Sequence, residues 1–146
     1  MKKALLLLAA ACALLTTSAT AVAASPAAYR AKVNGICKVG VAKINAVPAP
    51  KSPKEFEHFF QTEGTLAYQL LKQVVAVRPP ASLQPLVLAA VRLQGKLVDG
   101  TLAIAAQIRN GADPVKAYKA ADPVLTKLGH QGDAAWRRAG LNACAG

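Results

Sequence analysis

Acidic residues are scarce in this chain. Seven Asp and Glu face 18 Lys and Arg over 146 positions, a formal charge of +11. Aromatics make up only 5%, with one methionine and two histidines, which counts against a haem pocket or a Met-lined groove. Charged residues of both signs reach only 17% against 53% hydrophobic, a balance that excludes a disordered chain. The length leaves room for one domain and a processed segment, not for two large domains. No alternation of apolar and polar residues persists long enough to read as a half-buried strand. No Gly-rich phosphate loop or nucleophile elbow occurs, and no histidine stands by motif near a serine or cysteine nucleophile. The chain is therefore expected not to be an enzyme.

What is present begins with an export pattern. Lys2 and Lys3 precede a nearly unbroken apolar run from Ala4 to Leu15, and small residues follow through Ala24. A basic tip, an apolar run of about a dozen residues and Ala-x-Ala spacing predict a secretory signal over 1–24. The run is short of the roughly 20 residues that span a bilayer. A lipoprotein signal ending at Cys12 fits less well, because Ala9 stands where a leucine is wanted. The expected product is a secreted or extracytoplasmic domain over 25–146. Without Lys2 and Lys3 it keeps 16 basic residues against 7 acidic ones, a net +9.

Removing Cys12 leaves Cys37 and Cys144 as an even pair, which in an oxidising compartment predicts one disulfide. A loop of more than a hundred residues gives such a bridge about 4–5 kcal/mol in the chain-entropy model, less any strain. Neither cysteine has the Cys-x-x-Cys or paired-histidine company of a zinc site, and no metal or cofactor is expected.

Helical spacing fills the rest. The first segment, about Pro26 to Ala46, carries Tyr29, Val33, Ile36, Gly40 and Ile44 at three- and four-residue steps and stops at Val47-Pro48-Ala49-Pro50. Ser52, Pro53 and Glu55 form a capping signal for a second helix with Phe56, Phe60, Glu63, Ala67, Leu70 and Val74 on its repeat. A third is predicted from about Ser82 to Asn110, apolar nearly all round, with Leu86, Ala90, Leu93, Leu97, Ile104 and Ile108 facing inward. Asp113-Pro114 opens a fourth, which Pro123 should kink or split and Gly140 should close, with Trp136 as its aromatic anchor. The expected fold is all-α, an up-down-up-down four-helix bundle with one disulfide. By length, the bridge closes only if the tail runs back along the first helix.

The segment Tyr29-Arg30-Ala31-Lys32-Val33-Asn34-Gly35-Ile36-Cys37, the proline pair Pro79-Pro80 and the tail Ala139-Gly140-Leu141-Asn142-Ala143-Cys144 resemble a known pattern. It is that of small secreted helical proteins of actinobacteria with one cysteine in the first helix and one near the C-terminus. The resemblance covers most of the chain after residue 24. Its signature is structural, and it implies no catalytic residues.

Three features bear on function. Glu55-Phe56-Glu57-His58 has the Glu-x-x-His spacing of di-metal bundles, but those need a second such pair. The other histidine, His130, has only Asp133 three residues on, and Glu55 already serves as a cap. Glu63 falls on the apolar repeat of its helix, where a carboxylate must be paired, protonated or at the edge of a cavity. Antiparallel counting about Pro79-Pro80 sets it near Lys96, Leu97 and Thr101, so Glu63, Lys96 and Thr101 are the candidate binding residues. Gly64, Gly95 and Gly100 leave room there for close contact or a small ligand.

The basic excess is spread from Arg30 to Arg138 without a long run or interleaved aromatics, which argues against nucleic acid. Two readings follow. In the first, an exported non-enzymatic binding or structural protein of the cell envelope meets an anionic polymer, a membrane surface or a protein partner through its basic surface. In the second, the bundle interior near Glu63 carries a small ligand or cofactor.

Overall fold

The computed structural model describes residues 25–146; the expected export signal over 1–24 lies outside them. The described residues form four α-helices and no strand: α1 Pro26–Asn45, α2 Phe56–Val75, α3 Gln84–Arg109 and α4 Pro114–Arg138. Short 3-10 turns at Pro53–Glu55 and Asn142–Cys144 precede α2 and end the chain.

The boundaries follow from caps and prolines. Ser25 accepts the Ala28 amide at 3.2 Å ahead of Pro26, and Asp113 accepts the Lys116 amide at 2.8 Å ahead of Pro114. At α2, Glu55 accepts the Lys51 amide and the Ser52 hydroxyl, which tightens the entry into a 3-10 turn and delays the α-helix to Phe56. α3 and α4 each end in a Schellman motif. Gly111 takes φ +94° with Ala112 N–H bonded to Gln107 O, and Gly140 takes φ +74° with Leu141 N–H bonded to Trp136 O.

One expectation is narrowed and another needs correction. α4 is not split at Pro123; it runs unbroken through Pro123, Gly129 and Gly132. Pro123 is solvent-exposed, so the carbonyl it leaves without a helical donor can turn to water. On α3 the buried residues are Val87, Ala90, Val98, Ile104 and Ala105, while Leu86 points outward. A helix that is apolar all round carries little phase information, and here Leu83 and Val87 took the inner positions.

Packing pairs consecutive helices. Gly40 of α1 faces Leu70 of α2, Gly64 of α2 faces Leu102 of α3, and Gly100 of α3 faces Leu125 of α4. α1 packs chiefly on α2 and on the C-terminal tail. Two separate cores result. The larger joins Tyr29, Val33 and Cys37 to Val74, Val87, Trp136 and Leu141. The smaller gathers Phe60, Ile104, Ala105 and Ala117, with Phe56 and Phe59 against it and Tyr118 stacked on Phe60 at 5.7 Å between ring centroids.

The Cys37–Cys144 disulfide is formed, with the Cα atoms 4.9 Å apart. The tail reaches it by climbing α1. Arg30 Nε donates to Ala139 O at 2.9 Å, and Asn34 Nδ2 donates to Gly140 O at 3.2 Å. Asn34 Oδ1 then accepts from Ala143 N–H at 3.0 Å. A bridge in this position fits an oxidising compartment. Among the described residues no helix is long and apolar enough to cross a membrane.

Candidate functional site

Between the two cores the packing opens. α1 ends at Asn45, so its last turn stands beside Ala67 of α2 and Leu97 of α3 while the other helices continue past it. Small residues fall at this level, Gly64 and Ala67 on α2, and cannot fill the gap that the short first helix leaves. The outcome is two hollows of about 280 Å³ each, which share Ile44, Ala67, Gln94 and Leu97 as walls.

The first hollow lies toward the disulfide. Cys37, Val41, Leu70, Val74, Trp136 and Cys144 make it largely apolar, and Asn45 and Asp133 are among its few polar residues. Asp133 is already engaged, accepting the Gly146 amide at 3.0 Å. Gln94 stands between the hollows, its Oε1 at 3.5 Å from the Trp136 indole nitrogen.

The second hollow lies toward the phenylalanines and is lined by Phe60, Glu63, Gly64, Val98, Thr101 and Leu125 besides the shared walls. Glu63 forms no ion pair among the described residues. Burial pushes its carboxyl up from the ordinary value. The Thr101 hydroxyl donates to the Leu97 carbonyl at 3.0 Å and keeps its oxygen lone pairs for another donor.

The candidate residues thus separate. Glu63 and Thr101 line one hollow together, whereas Lys96 is exposed and lines neither. The reason is the helix face: Leu97 and Val98, the next residues of α3, line the hollow with Glu63, while Lys96 is turned to solvent. Gln94 lies near Glu63, as the antiparallel counting predicts, whereas the role of Ala67 in joining the hollows has no sequence signal, because nothing in the spacing reports where one helix stops relative to its neighbours.

The Glu55–His58 segment is used otherwise. Glu55 caps its turn, and Glu57 pairs with Arg109 at 2.8 Å, both partners well exposed. Among the described residues no three His, Cys, Asp or Glu side chains gather in a way that could hold a metal ion.

Charge is distributed unevenly along the bundle. The segments that build the larger, disulfide-containing core, residues 25–40, 70–94 and 132–146, hold Arg30, Lys32, Lys38, Lys72, Arg78, Arg92, Arg137 and Arg138 against Asp133 alone, a net +7. The remaining described residues hold eight basic residues too, but with Glu55, Glu57, Glu63, Asp99, Asp113 and Asp122, a net +2. Comparison of the chain with protein-family models, with curated proteins and with solved structures found no match.

Proposed function

We propose that the chain is an extracytoplasmic, non-enzymatic carrier that holds a small, largely apolar ligand between the two cores of an up-down-up-down bundle bent at Pro123. The observation that carries this reading is the pair of adjoining hollows joined across Ile44, Ala67, Gln94 and Leu97. Apolar cavities of even about 150 Å³ accept small hydrophobic molecules, so each hollow is large enough for a ligand fragment. Glu63, Gln94 and Thr101 supply polar groups that would orient it, with no histidine or free thiol among the walls to perform chemistry on it. The contacts of Gly40 with Leu70, Gly64 with Leu102 and Gly100 with Leu125 favour the antiparallel order of the helices.

The disulfide and the export pattern support placement outside the cytoplasm. Kinship with the small secreted helical proteins of actinobacteria is part of the same proposal. The two cysteine segments that carry that resemblance pair with each other through Arg30, Asn34 and Cys37.

The test is displacement of a neutral fluorescent probe, N-phenyl-1-naphthylamine, from the purified exported protein. Ala67→Phe, which fills the shared wall, is expected to weaken probe binding at least tenfold while the melting temperature holds or rises. Native mass spectrometry on protein from its own host is expected to show an added mass. An unadorned mass together with probe binding indifferent to Ala67→Phe overturns the carrier reading. Association with the envelope through the basic surface is compatible with the same fold, and the charge asymmetry favours the disulfide side for it.

A further inference from the structure

The stretch from Lys72 to Val98 contains no acidic residue. It forms the end of α2, the proline-stiffened link and the first half of α3, an elbow on the disulfide side of the bundle. Its outward face carries more than charge. On α3 Leu88, 49% exposed, stands one turn from exposed Arg92, and on α2 Val75, 58% exposed, stands one turn from exposed Lys72, with exposed Arg78 on the link between the helices. Pro79, Pro80 and Pro85 restrict the backbone, so the face is presented with little conformational entropy to lose on contact.

We propose that this elbow is a docking surface for an anionic lipid bilayer. The two kinds of exposed side chain act together. A soluble polyanion would be held by Lys72, Arg78 and Arg92 alone and would leave Val75 and Leu88 in water. A bilayer takes both: lysine and arginine sit among anionic head groups, while aliphatic side chains enter the boundary with the acyl chains. The other side of the bundle lacks the first half of this pairing, since its exposed Val115 and Val124 lie on a helix where Asp113 and Asp122 offset the lysines. The elbow acts by partition, with no covalent step and no dependence on a ligand in the interior.

The experiment is co-sedimentation of the purified exported protein with vesicles of phosphatidylcholine alone and of phosphatidylcholine with about one third phosphatidylglycerol. Binding is expected on the anionic vesicles, with at least tenfold weaker partition on the neutral ones and in 0.5 M salt (a screening length of about 4 Å). Lys72→Gln/Arg78→Gln/Arg92→Gln is expected to weaken binding at least tenfold, and Val75→Ser/Leu88→Ser about fivefold or more. The control Val115→Ser/Val124→Ser should change it less than twofold.

All these substitutions alter exposed side chains, and thermal melts of each variant confirm that the fold is retained. Equal losses from the elbow and control variants overturn the proposal. So does binding to soluble polyphosphate that ignores Val75→Ser/Leu88→Ser while the anionic vesicles stay bare. Because Ala67→Phe lies inside the bundle, failure of the carrier reading leaves the vesicle result standing, and the reverse holds too.

Discussion

The side chain of Arg30 lies where a side chain on residue 140 would stand, and its Nε donates to the neighbouring Ala139 carbonyl at 2.9 Å. Gly140 is thus constrained twice, by a left-handed backbone at φ +74° and by the arginine stem above it. A methyl group there would strain the turn and push Arg30 off its acceptor. Gly140→Ala is expected to cost about 2 kcal/mol or more, read as a lower midpoint in urea at unchanged slope. Gly35→Ala is the control, because nothing approaches a Cβ at that position and α1 is helical there. It should stabilise the protein by about 0.5–1 kcal/mol.

Asn34 performs the next step of the same docking, donating to Gly140 O and accepting from Ala143 N–H. Asn34→Ala removes both partners from a partly buried turn and should cost about 1–3 kcal/mol. Asn34→Asp keeps the acceptor for Ala143 but loses the donor to Gly140, so its loss should be comparable or larger. Chemical denaturation of the three proteins side by side checks the order. If Asn34→Asp matches the native protein, the contact to Gly140 contributes nothing.

Much of this architecture was legible in the sequence. Pro26, Pro114, Gly111 and Gly140 punctuate the helices where caps and left-handed turns require them, and cysteine parity after residue 24 named the bridge. Simple reach then required the tail to climb α1. Three features were not legible, each for a physical reason. The inner face of α3 has no unique phase when Leu86, Val87 and Leu88 are all apolar, so Leu86 was placed inside. The neighbours of Glu63 depend on which side of α3 turns toward α2: Leu97 and Thr101 share its hollow as the counting predicts, whereas Lys96 is turned to solvent. The hollows arise because α1 ends early beside small residues, a relation between helices that no single helix records.

The disulfide closes a sequence separation of 107 residues, and the tail contributes Leu141 and Cys144 to the larger core. Cys37→Ser/Cys144→Ser should therefore cost up to about 4–5 kcal/mol, a large fraction of the stability of a small domain. Thiol titration of the denatured, unreduced chain over 25–146 should find no free thiol. Two free thiols would remove the staple from the account altogether.

Tyr29 is 1% exposed, and its hydroxyl has no hydrogen-bond partner among the described residues. Burial pushes its ionisation above the ordinary tyrosine range, so the ring stays neutral at any pH the protein meets. An unmade buried hydrogen bond costs about 1–3 kcal/mol, whereas the ring itself packs with Val33 and Trp136 in the larger core. Tyr29→Phe should keep the packing and remove the unsatisfied oxygen, raising stability by about 1 kcal/mol. Tyr29→Ala should lose about 3–5 kcal/mol, as for other large buried aromatics. A thermal melt in which Tyr29→Phe falls below the native protein would mean that the hydroxyl has a partner, such as an ordered water.

Glu63 gives the pH dependence its sign. Its carboxyl is raised from about 4.5 by desolvation, so the folded state holds a proton that the unfolded chain releases. Stability from this group is fully present below the ordinary glutamate range and is lost as pH rises through the raised value. Glu63→Gln removes that dependence by keeping a neutral group of similar shape beside Thr101. Its melting temperature should therefore exceed that of the native protein at pH 7.5, with the gap closing as pH falls to 4. The same variant separates the two uses of the hollow. If a bound ligand donates a hydrogen bond or carries positive charge at Glu63, added ligand should stabilise the native protein more than Glu63→Gln at pH 7.5. If the ligand is wholly apolar, the two proteins should gain equally at that pH, and Glu63 only sets the cost of the empty state.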